Sequence, residues 1–185
     1  LIDIYSTPAV QKEFHVAAFY SISNCQPGLR GISMGNFLIK QVAGLLAAEF
    51  PRVKSFCTLS PIPGFRDWLR RAIAAPEEAG VMPEGVRESL ASVRRTVGPL
   101  LERNVGEMRA AERLREKSAN DLLRLCAAYL LGIGEPGGIT HDPVARFHLN
   151  NGAYLERLNS CGDLSDKGLR QSRGLMVNYV YDLKT

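Results

Sequence analysis

Two residues that can handle a proton lie far apart in this 185-residue chain. Ser60 belongs to the segment TLSPIPGF at 58–65, and His148 belongs to DPVARFHLNNGAYLERLN at 142–159. A serine next to a histidine is a polar dyad that can bind and transfer protons. Taken singly, each residue also has a structural interpretation: Ser60 as a strand-end residue or helix cap, and His148 as a hydrogen-bonded core histidine. The residues alone leave both interpretations open.

The composition limits the classes of protein that need to be considered. A chain of this length with 45% hydrophobic residues can bury one substantial core, so a single catalytic-size domain is expected. We expect neither a zinc site nor a disulfide framework, and therefore reduced thiols, because the four cysteines are widely separated and form no CxxC pair: Cys25, Cys57, Cys126 and Cys161.

Charge and hydropathy indicate a soluble protein. The net charge is +4, but both signs alternate along 76–118, which is typical of a solvated helical face and not of a nucleic-acid-binding surface. There is no apolar run of about 18 residues, and residues 1–10 lack the plan of a signal peptide, so we expect no membrane contact and a cytoplasmic location. The chain begins at Leu1 and not at a methionine, so we expect an upstream portion to be missing.

The first third of the chain predicts a βαβ unit. Residues 14–23 and 53–59 are rich in β-branched and aromatic residues, as in buried strands. An amphipathic helix that ends before Pro51 is predicted between them from the spacing of Leu38, Ile39, Val42, Leu45 and Leu46. Two strands joined by a helix are expected to be parallel, with a right-handed crossover.

The remaining chain predicts helices and then two further strands. Residues 66–132 have helical spacing and are interpreted as a helical insert on one side of the sheet. Asp142 and Pro143 are a typical N-cap and first residue for a short helix over 143–149. Strands are predicted at 153–159 and 175–182, joined by a polar linker, with Tyr179 and Tyr181 on the same face of the second.

The glycine-rich stretch at 28–36 lies between the first strand and the first helix. Backbone N–H groups and a helix N-terminus in such a place can bind a phosphate. An ordinary strand-to-helix turn has the same composition, so both interpretations stand; the stretch is neither a Walker loop nor a good dinucleotide-binding loop.

Five segments in the same order resemble the C-terminal catalytic domain of the malonyl-CoA decarboxylase family. They are FYSISNCQPGLRGISMGNFLIKQV, EFPRVKSFCTLSPIPGF, LLRLCAAYL, DPVARFHLNNGAYLERLN and GLMVNYVYDL, of which SPIPGF followed by FHLNNGA is the most specific. The resemblance covers most of the chain, although residues 1–13 resemble nothing specific, and it implies that 1–185 form one such domain. The implied fold is an α+β fold of the GNAT type: a mixed sheet in which two parallel strands splay apart, flanking helices and a helical insert. The resemblance also implies that the family's N-terminal helical domain, through which homo-oligomers are expected to form, is absent from this chain.

The resemblance assigns functional residues. It implies that Ser60 and His148 are the catalytic dyad, and that Ser21 and Tyr181 are polar residues near the acyl group. It further implies that coenzyme A is bound by a loop that comprises Arg30, Gly31, Ile32, Ser33, Met34, Gly35 and Asn36.

The implied reaction converts malonyl-CoA to acetyl-CoA and CO2, as part of fatty acid metabolism. The thioester itself accepts the electron pair, so neither a metal nor an organic cofactor is expected. Our hypothesis is that Ser60 hydrogen-bonds the malonyl carboxylate while His148 donates the proton to carbon. Two alternatives remain at this stage: a GNAT-type acyltransferase that uses an acyl-CoA, and a non-catalytic acyl-CoA-binding module.

Overall fold

The structure is a computed structural model that describes residues 14–20, 35–75, 82–101, 112–133, 135–138 and 140–182. The described strands are β1 Val16–Tyr20, β2 Ser55–Pro61, β3 Ala153–Asn159 and β4 Met176–Tyr181, and they form one sheet in the order β1-β2-β4-β3. The described α-helices are α1 Gly35–Glu49, α2 Phe65–Ala74, α3 Glu84–Thr96, α4 Gly98–Leu101, α5 Glu112–Leu130, α6 Pro143–Asn150 and α7 Asp166–Ser172.

The predicted parallel strand pair is confirmed. β1 and β2 run parallel, with Val16 opposite Ser55 and Tyr20 opposite Leu59, and α1 connects them in the sequence. β2 extends by Ser60 and Pro61 beyond Leu59, the last of its residues that pairs with β1. The chain after Tyr20, where a splay between the two strands would begin, lies outside the described residues.

The chain divides into two compact units. The first comprises Leu1–Ser60, Phe147–Arg157 and Val177–Thr185, and contains most of the sheet together with α1. The second comprises Pro61–Arg146 and Leu158–Met176, and contains α2 to α5 and α7. The helices α2 to α5 occupy the region that the sequence predicts to be helical, and the interpretation of that region as an insert stays a prediction.

The core of the first unit lies under α1. The sequence predicted only some of the α1 residues that are buried there. Ile39 is buried and Leu46 half-buried, but Leu38 and Leu45 are 55% and 66% exposed. The buried stripe runs instead through Ile39, Ala43, Leu46 and Ala47, which keep helical spacing. The small side chain of Ala43 lets the helix approach the sheet, where its partners are Val53, Phe56, Ala17 and Phe19.

The core of the second unit is built around three aromatic rings on α2 and α5. Phe65, Trp68 and Tyr129 have ring centroids 5.6 to 6.0 Å apart, and all three side chains are buried. Gly64 is required beside them, because a Cβ at that position would collide with the Tyr129 hydroxyl. α5 then ends as predicted at a glycine, Gly132, whose φ of 66° is left-handed.

The polar linker predicted between the last two strands contains a helix that the sequence did not predict, α7. Ser165 caps this helix by accepting a hydrogen bond from the Gly168 N–H, and Leu169 is buried. Gly168 lies so close to Asp163 that a side chain at this position would collide with it. The helix ends at Arg173, whose φ is 56°. One cap and one close contact thus order a segment whose composition is typical of a loop.

Candidate active site

β2 places Ser60 through its alternating side chains. Phe56, Thr58 and Ser60 are all buried and point to the same face of the strand, since side chains two apart along a strand share a face. Ser60 is near the carboxyl end of β2, just before Pro61. Its hydroxyl does not cap the next helix, whose N-cap is Gly64 and has no side-chain hydrogen bond. The helix-cap interpretation of Ser60 is therefore wrong.

α6 places His148 in its last turn. The helix starts as the sequence predicts, with Asp142 Oδ1 accepting hydrogen bonds from the N–H groups of Val144 and Ala145 at 3.0 and 2.9 Å. It ends at Asn150, and Gly152 follows with a left-handed φ of 77°. His148 itself is 2% exposed. A short, well-capped helix thus fixes the backbone from which the imidazole projects.

Both ring nitrogens of His148 have hydroxyl partners. Nε2 lies 3.1 Å from Oγ of Ser60, and Nδ1 lies 2.8 Å from the hydroxyl of Tyr181 on β4. Ser60 also donates a hydrogen bond to Oγ1 of Thr58 at 2.9 Å. Four side chains therefore form one continuous polar chain, Tyr181–His148–Ser60–Thr58, inside the first unit.

Aromatic rings hold the imidazole on its other sides. The ring of Tyr179 stacks on His148 with centroids 4.5 Å apart and an interplanar angle of 24°. Phe147 and Tyr181 lie edge-on to the imidazole, with their ring centroids 5.1 and 6.0 Å from that of His148. The predicted placement of Tyr179 and Tyr181 on one face of β4 is confirmed, because both contact the same ring.

Burial sets the protonation of the site. It lowers the pKa of His148 from 6.5 to about 4, and it raises the pKa of Tyr181 to about 12. The C-terminal end of a helix favours a charged histidine by roughly 0.3–1 kcal/mol. The loss of hydration outweighs that effect here, since a shift of this size corresponds to roughly 3 kcal/mol. Both groups are therefore neutral at pH 7.

A neutral, buried hydroxyl–imidazole chain is suited to moving a proton to or from a bound molecule. Its donor and acceptor atoms are held by neighbouring side chains, so only hydrogens have to move before transfer. Among the described residues, no group of three or more His, Cys, Asp or Glu side chains could hold a metal ion. The described helices include none that is long and apolar enough to cross a membrane.

The structure brings together three of the predicted site residues, Ser60, His148 and Tyr181. Gly35 and Asn36 form the start of α1. The other predicted residues lie outside the described part of the chain: Ser21, Arg30, Gly31, Ile32, Ser33 and Met34.

Sequence reasoning missed Thr58. The sequence predicts it only as part of a strand, although it lies two residues before Ser60 and hence on the same strand face. That spacing was the available signal. The contribution of Tyr179, for which the sequence predicts only the face of its strand, is also more specific, since its ring covers one face of the imidazole.

The chain matches a known protein family and individual relatives within it. The family model that matches is the malonyl-CoA decarboxylase C-terminal domain, over residues 1–185. The chain is 41% identical to the mitochondrial malonyl-CoA decarboxylase of Rattus norvegicus, over 91% of this chain and 35% of that protein. It is 42% identical to the mitochondrial malonyl-CoA decarboxylase of Mus musculus, over 91% and 35% respectively.

Solved structures give the same result. The malonyl-CoA decarboxylase of Rhodopseudomonas palustris superposes with a TM-score of 0.77 at 44% identity, over 98% of this chain and 39% of that one. The enzyme from Agrobacterium vitis also gives 0.77 and 44%, over 97% and 42%. The predicted α+β fold with a GNAT-like mixed sheet is confirmed. The chain spans little more than a third of the length of these relatives.

Proposed function

Because the chain belongs to the malonyl-CoA decarboxylase family through its C-terminal domain, we propose that it carries out the decarboxylation of malonyl-CoA to acetyl-CoA and CO2. The observation that carries this proposal is the buried contact between Ser60 and His148, with Tyr181 on the far side of the imidazole. These residues supply hydrogen-bond donors and a proton at one place, which are the two things that the reaction needs from a protein.

The reaction breaks the bond between the α-carbon and the carboxylate. The electron pair of that bond passes to the α-carbon and is delocalised onto the thioester oxygen, CO2 leaves, and one proton is taken up at carbon. No electron is gained or lost, so the thioester is a sufficient electron sink, and we propose that no metal or organic cofactor takes part. The protein must orient the carboxylate, stabilise the enolate and deliver the proton.

We assign Ser60 to the carboxylate and His148 to the proton. A serine hydroxyl donates a stronger hydrogen bond to an anion than to a neutral group, so the malonyl carboxylate attracts the hydroxyl hydrogen of Ser60. The same negative charge raises the pKa of a neighbouring histidine. Substrate binding therefore opposes the effect of burial on His148, whose pKa is about 4 in the free protein, and favours protonation of the imidazole.

The coenzyme A moiety is proposed to bind at the start of α1. This helix has 15 residues and begins at Gly35, so its N-terminal N–H groups can meet a phosphate. Residues 30–34 directly precede this helix in the sequence, and we propose that the charge of Arg30 and the glycine at position 31 favour phosphate binding there. Ser21 is retained in the proposal as a polar residue near the acyl group.

Product analysis on purified protein tests the function. With malonyl-CoA alone, acetyl-CoA and CO2 should appear in equal amounts. An acyltransferase would require an amine acceptor, and a binding module would bind malonyl-CoA without releasing CO2, so either result would overturn the proposal.

Two variants with matched controls test the residues. Ser60→Ala and His148→Asn should each lower kcat by about 10²-fold or more, the range of a lost proton-transfer group, while acyl-CoA binding persists. Ser160→Ala and His141→Asn are the controls, because both residues are exposed. Full turnover in either site variant would remove that residue from the mechanism.

Assembly and location are further proposals. We propose a homo-oligomer, to be measured by light scattering after size-exclusion chromatography. The cytoplasmic location stays a prediction; the two mammalian relatives above are named mitochondrial, so cell fractionation is the deciding measurement.

A further inference from the structure

Thr58 lies at the end of the polar chain that holds the imidazole. Its side chain is fully buried, and its Oγ1 accepts a hydrogen bond from Ser60 Oγ at 2.9 Å. The same oxygen accepts from the backbone N–H of Tyr179 on β4 at 3.4 Å. The Thr58 carbonyl accepts from the Asn178 side chain at 2.7 Å. Thr58 is thus fixed from both its side chain and its backbone.

The direction of the Ser60–Thr58 hydrogen bond determines where the other protons are. Ser60 has one hydroxyl hydrogen, and Thr58 receives it. Ser60 can then meet His148 only as an acceptor, so Nε2 of His148 must carry a hydrogen. A neutral imidazole with a proton on Nε2 has a lone pair on Nδ1, which accepts from the Tyr181 hydroxyl. Burial keeps that hydroxyl protonated, since it raises the pKa of Tyr181 to about 12.

We infer that Thr58 is a positioning residue: by accepting the Ser60 hydrogen, it keeps His148 in the Nε2–H form, with its proton directed at Ser60. The chain of donors then runs in one direction, from Tyr181 through His148 and Ser60 to Thr58. This inference rests on the proposed function for its catalytic consequence, but the tautomer itself does not depend on it.

The consequence for turnover is that Nε2, which faces Ser60, already carries a hydrogen. The proton that substrate binding draws to His148 then adds at Nδ1, so loss of the Nε2 hydrogen to carbon leaves a neutral imidazole. When a malonyl carboxylate binds, the Ser60 hydrogen turns from Thr58 to the stronger, charged acceptor. Ser60 Oγ still accepts from Nε2–H, so the imidazole does not have to change tautomer. Without the Thr58 hydroxyl, the Ser60 hydrogen has Nε2 as its nearest acceptor, and His148 moves to the Nδ1–H form, whose proton faces Tyr181.

Nitrogen NMR on the imidazoles tests the inference directly. The chain has three histidines, so the His148 signal can be assigned from His15→Asn and His141→Asn. The wild-type protein should show a protonated Nε2 and an unprotonated Nδ1 at pH 7. A protonated Nδ1 in the wild type overturns the inference without any variant of Thr58.

Two variants of Thr58 test the cause. Thr58→Val removes the acceptor and keeps the β-branched shape, and it should shift His148 to the Nδ1–H form and lower kcat by about tenfold or more, with less than a twofold change in KM. Thr58→Ser restores the hydroxyl and should restore both the tautomer and kcat. If Thr58→Val loses turnover with the tautomer unchanged, Thr58 is merely structural and the inference is wrong.

Two controls distinguish a variant that does not fold, and a failure of the proposed function, from a failure of this inference. Circular dichroism establishes that each variant is folded, and Thr58→Ala replaces Thr58→Val if the latter is not. If the wild-type protein releases no CO2 from malonyl-CoA, the proposed function fails, but the NMR result still decides the role of Thr58 in fixing the tautomer.

Discussion

Oγ of Ser60 lies 3.1 Å from Nε2 of His148, although 88 positions separate the two residues in the chain. The contact depends on two local features that are readable in the sequence: a strand that ends at Pro61 and a helix capped by Asp142. It also depends on a third residue, Tyr181, which holds the imidazole from its opposite nitrogen. Each of these features can be removed separately, which allows the parts of the site to be tested one at a time.

Tyr181→Phe should slow turnover without unfolding the protein. The change deletes the hydroxyl 2.8 Å from Nδ1 of His148 and keeps the buried ring. Because a neutral hydrogen bond contributes about 1 kcal/mol net, kcat should fall roughly threefold to tenfold. Steady-state kinetics at pH 7 measure this effect. Tyr154→Phe is the control, since Tyr154 is 51% exposed on β3. Equal kcat in the wild type and Tyr181→Phe would show that the hydroxyl does not position the histidine.

Acid should destabilise the fold through His148. The unfolded chain has the ordinary pKa of 6.5 and the folded chain about 4, so between these values the unfolded state binds more protons. The contribution of neutral His148 to the free energy of unfolding is fully present above pH 6.5 and is lost as the pH falls through 4. Its maximum size is roughly 3 kcal/mol.

Urea unfolding at several pH values from 7 to 4 measures this loss. His148→Gln lacks the titrating group, so the difference in unfolding free energy between this variant and the wild type isolates the contribution of His148. The two curves should converge as the pH falls. Curves that stay parallel over the whole range would show that His148 titrates normally in the fold.

The sequence predicted those elements whose signals are local. The Asp142-Pro143 start of α6 and the alternation in β4 each lie within about ten residues, and both were confirmed. The role of Thr58 could not be predicted from its own neighbourhood, because its partner Tyr179 is 121 residues away and depends on the pairing of β2 with β4.

The errors have a similar origin. On α1 the apolar residues Leu38, Val42 and Leu45 were predicted to face the core, but the exposed side of the helix carries them. The buried face of α1 is instead the one that carries the small residue Ala43. Ala43 favours this face because it allows the helix to approach the sheet closely, and not because it is strongly hydrophobic. α7 was missed because its order depends on Gly168 meeting Asp163 and on the Ser165 cap, while its composition is polar.

Asp142→Ala should destabilise the protein more than Asp142→Asn. The carboxylate caps α6 through the N–H groups of Val144 and Ala145, and it accepts a hydrogen bond from the Tyr129 hydroxyl at 3.2 Å. Loss of the cap costs about 1 kcal/mol, and an unpaired buried hydroxyl costs about 1–3 kcal/mol. Asparagine can still cap, so Asp142→Asn should keep most of the stability.

Thermal unfolding compares the two variants of Asp142. Tyr129→Phe is the control for the cost of the unpaired buried hydroxyl, because it removes the hydroxyl and leaves the cap. Equal melting temperatures for Asp142→Ala and Asp142→Asn would show that the cap contributes little.

Gly64→Ala should destabilise the second unit strongly. A Cβ at this position would collide with the hydroxyl of Tyr129, and Tyr129 cannot move freely because its ring packs against Phe65 and Trp68 and its hydroxyl is bound to Asp142. Overpacking of a buried site typically costs 1–3 kcal/mol, so a loss of about 2 kcal/mol is expected from urea unfolding.

Gly85→Ala is the matched control, because no described heavy atom lies within 4 Å of its added Cβ and alanine favours the helix α3. That control should leave the stability unchanged or raise it by up to about 1 kcal/mol. If the double variant Gly64→Ala with Tyr129→Phe has the stability of Tyr129→Phe alone, the collision with the hydroxyl is the cause. An unchanged loss in the double variant would show that the hydroxyl is not the cause.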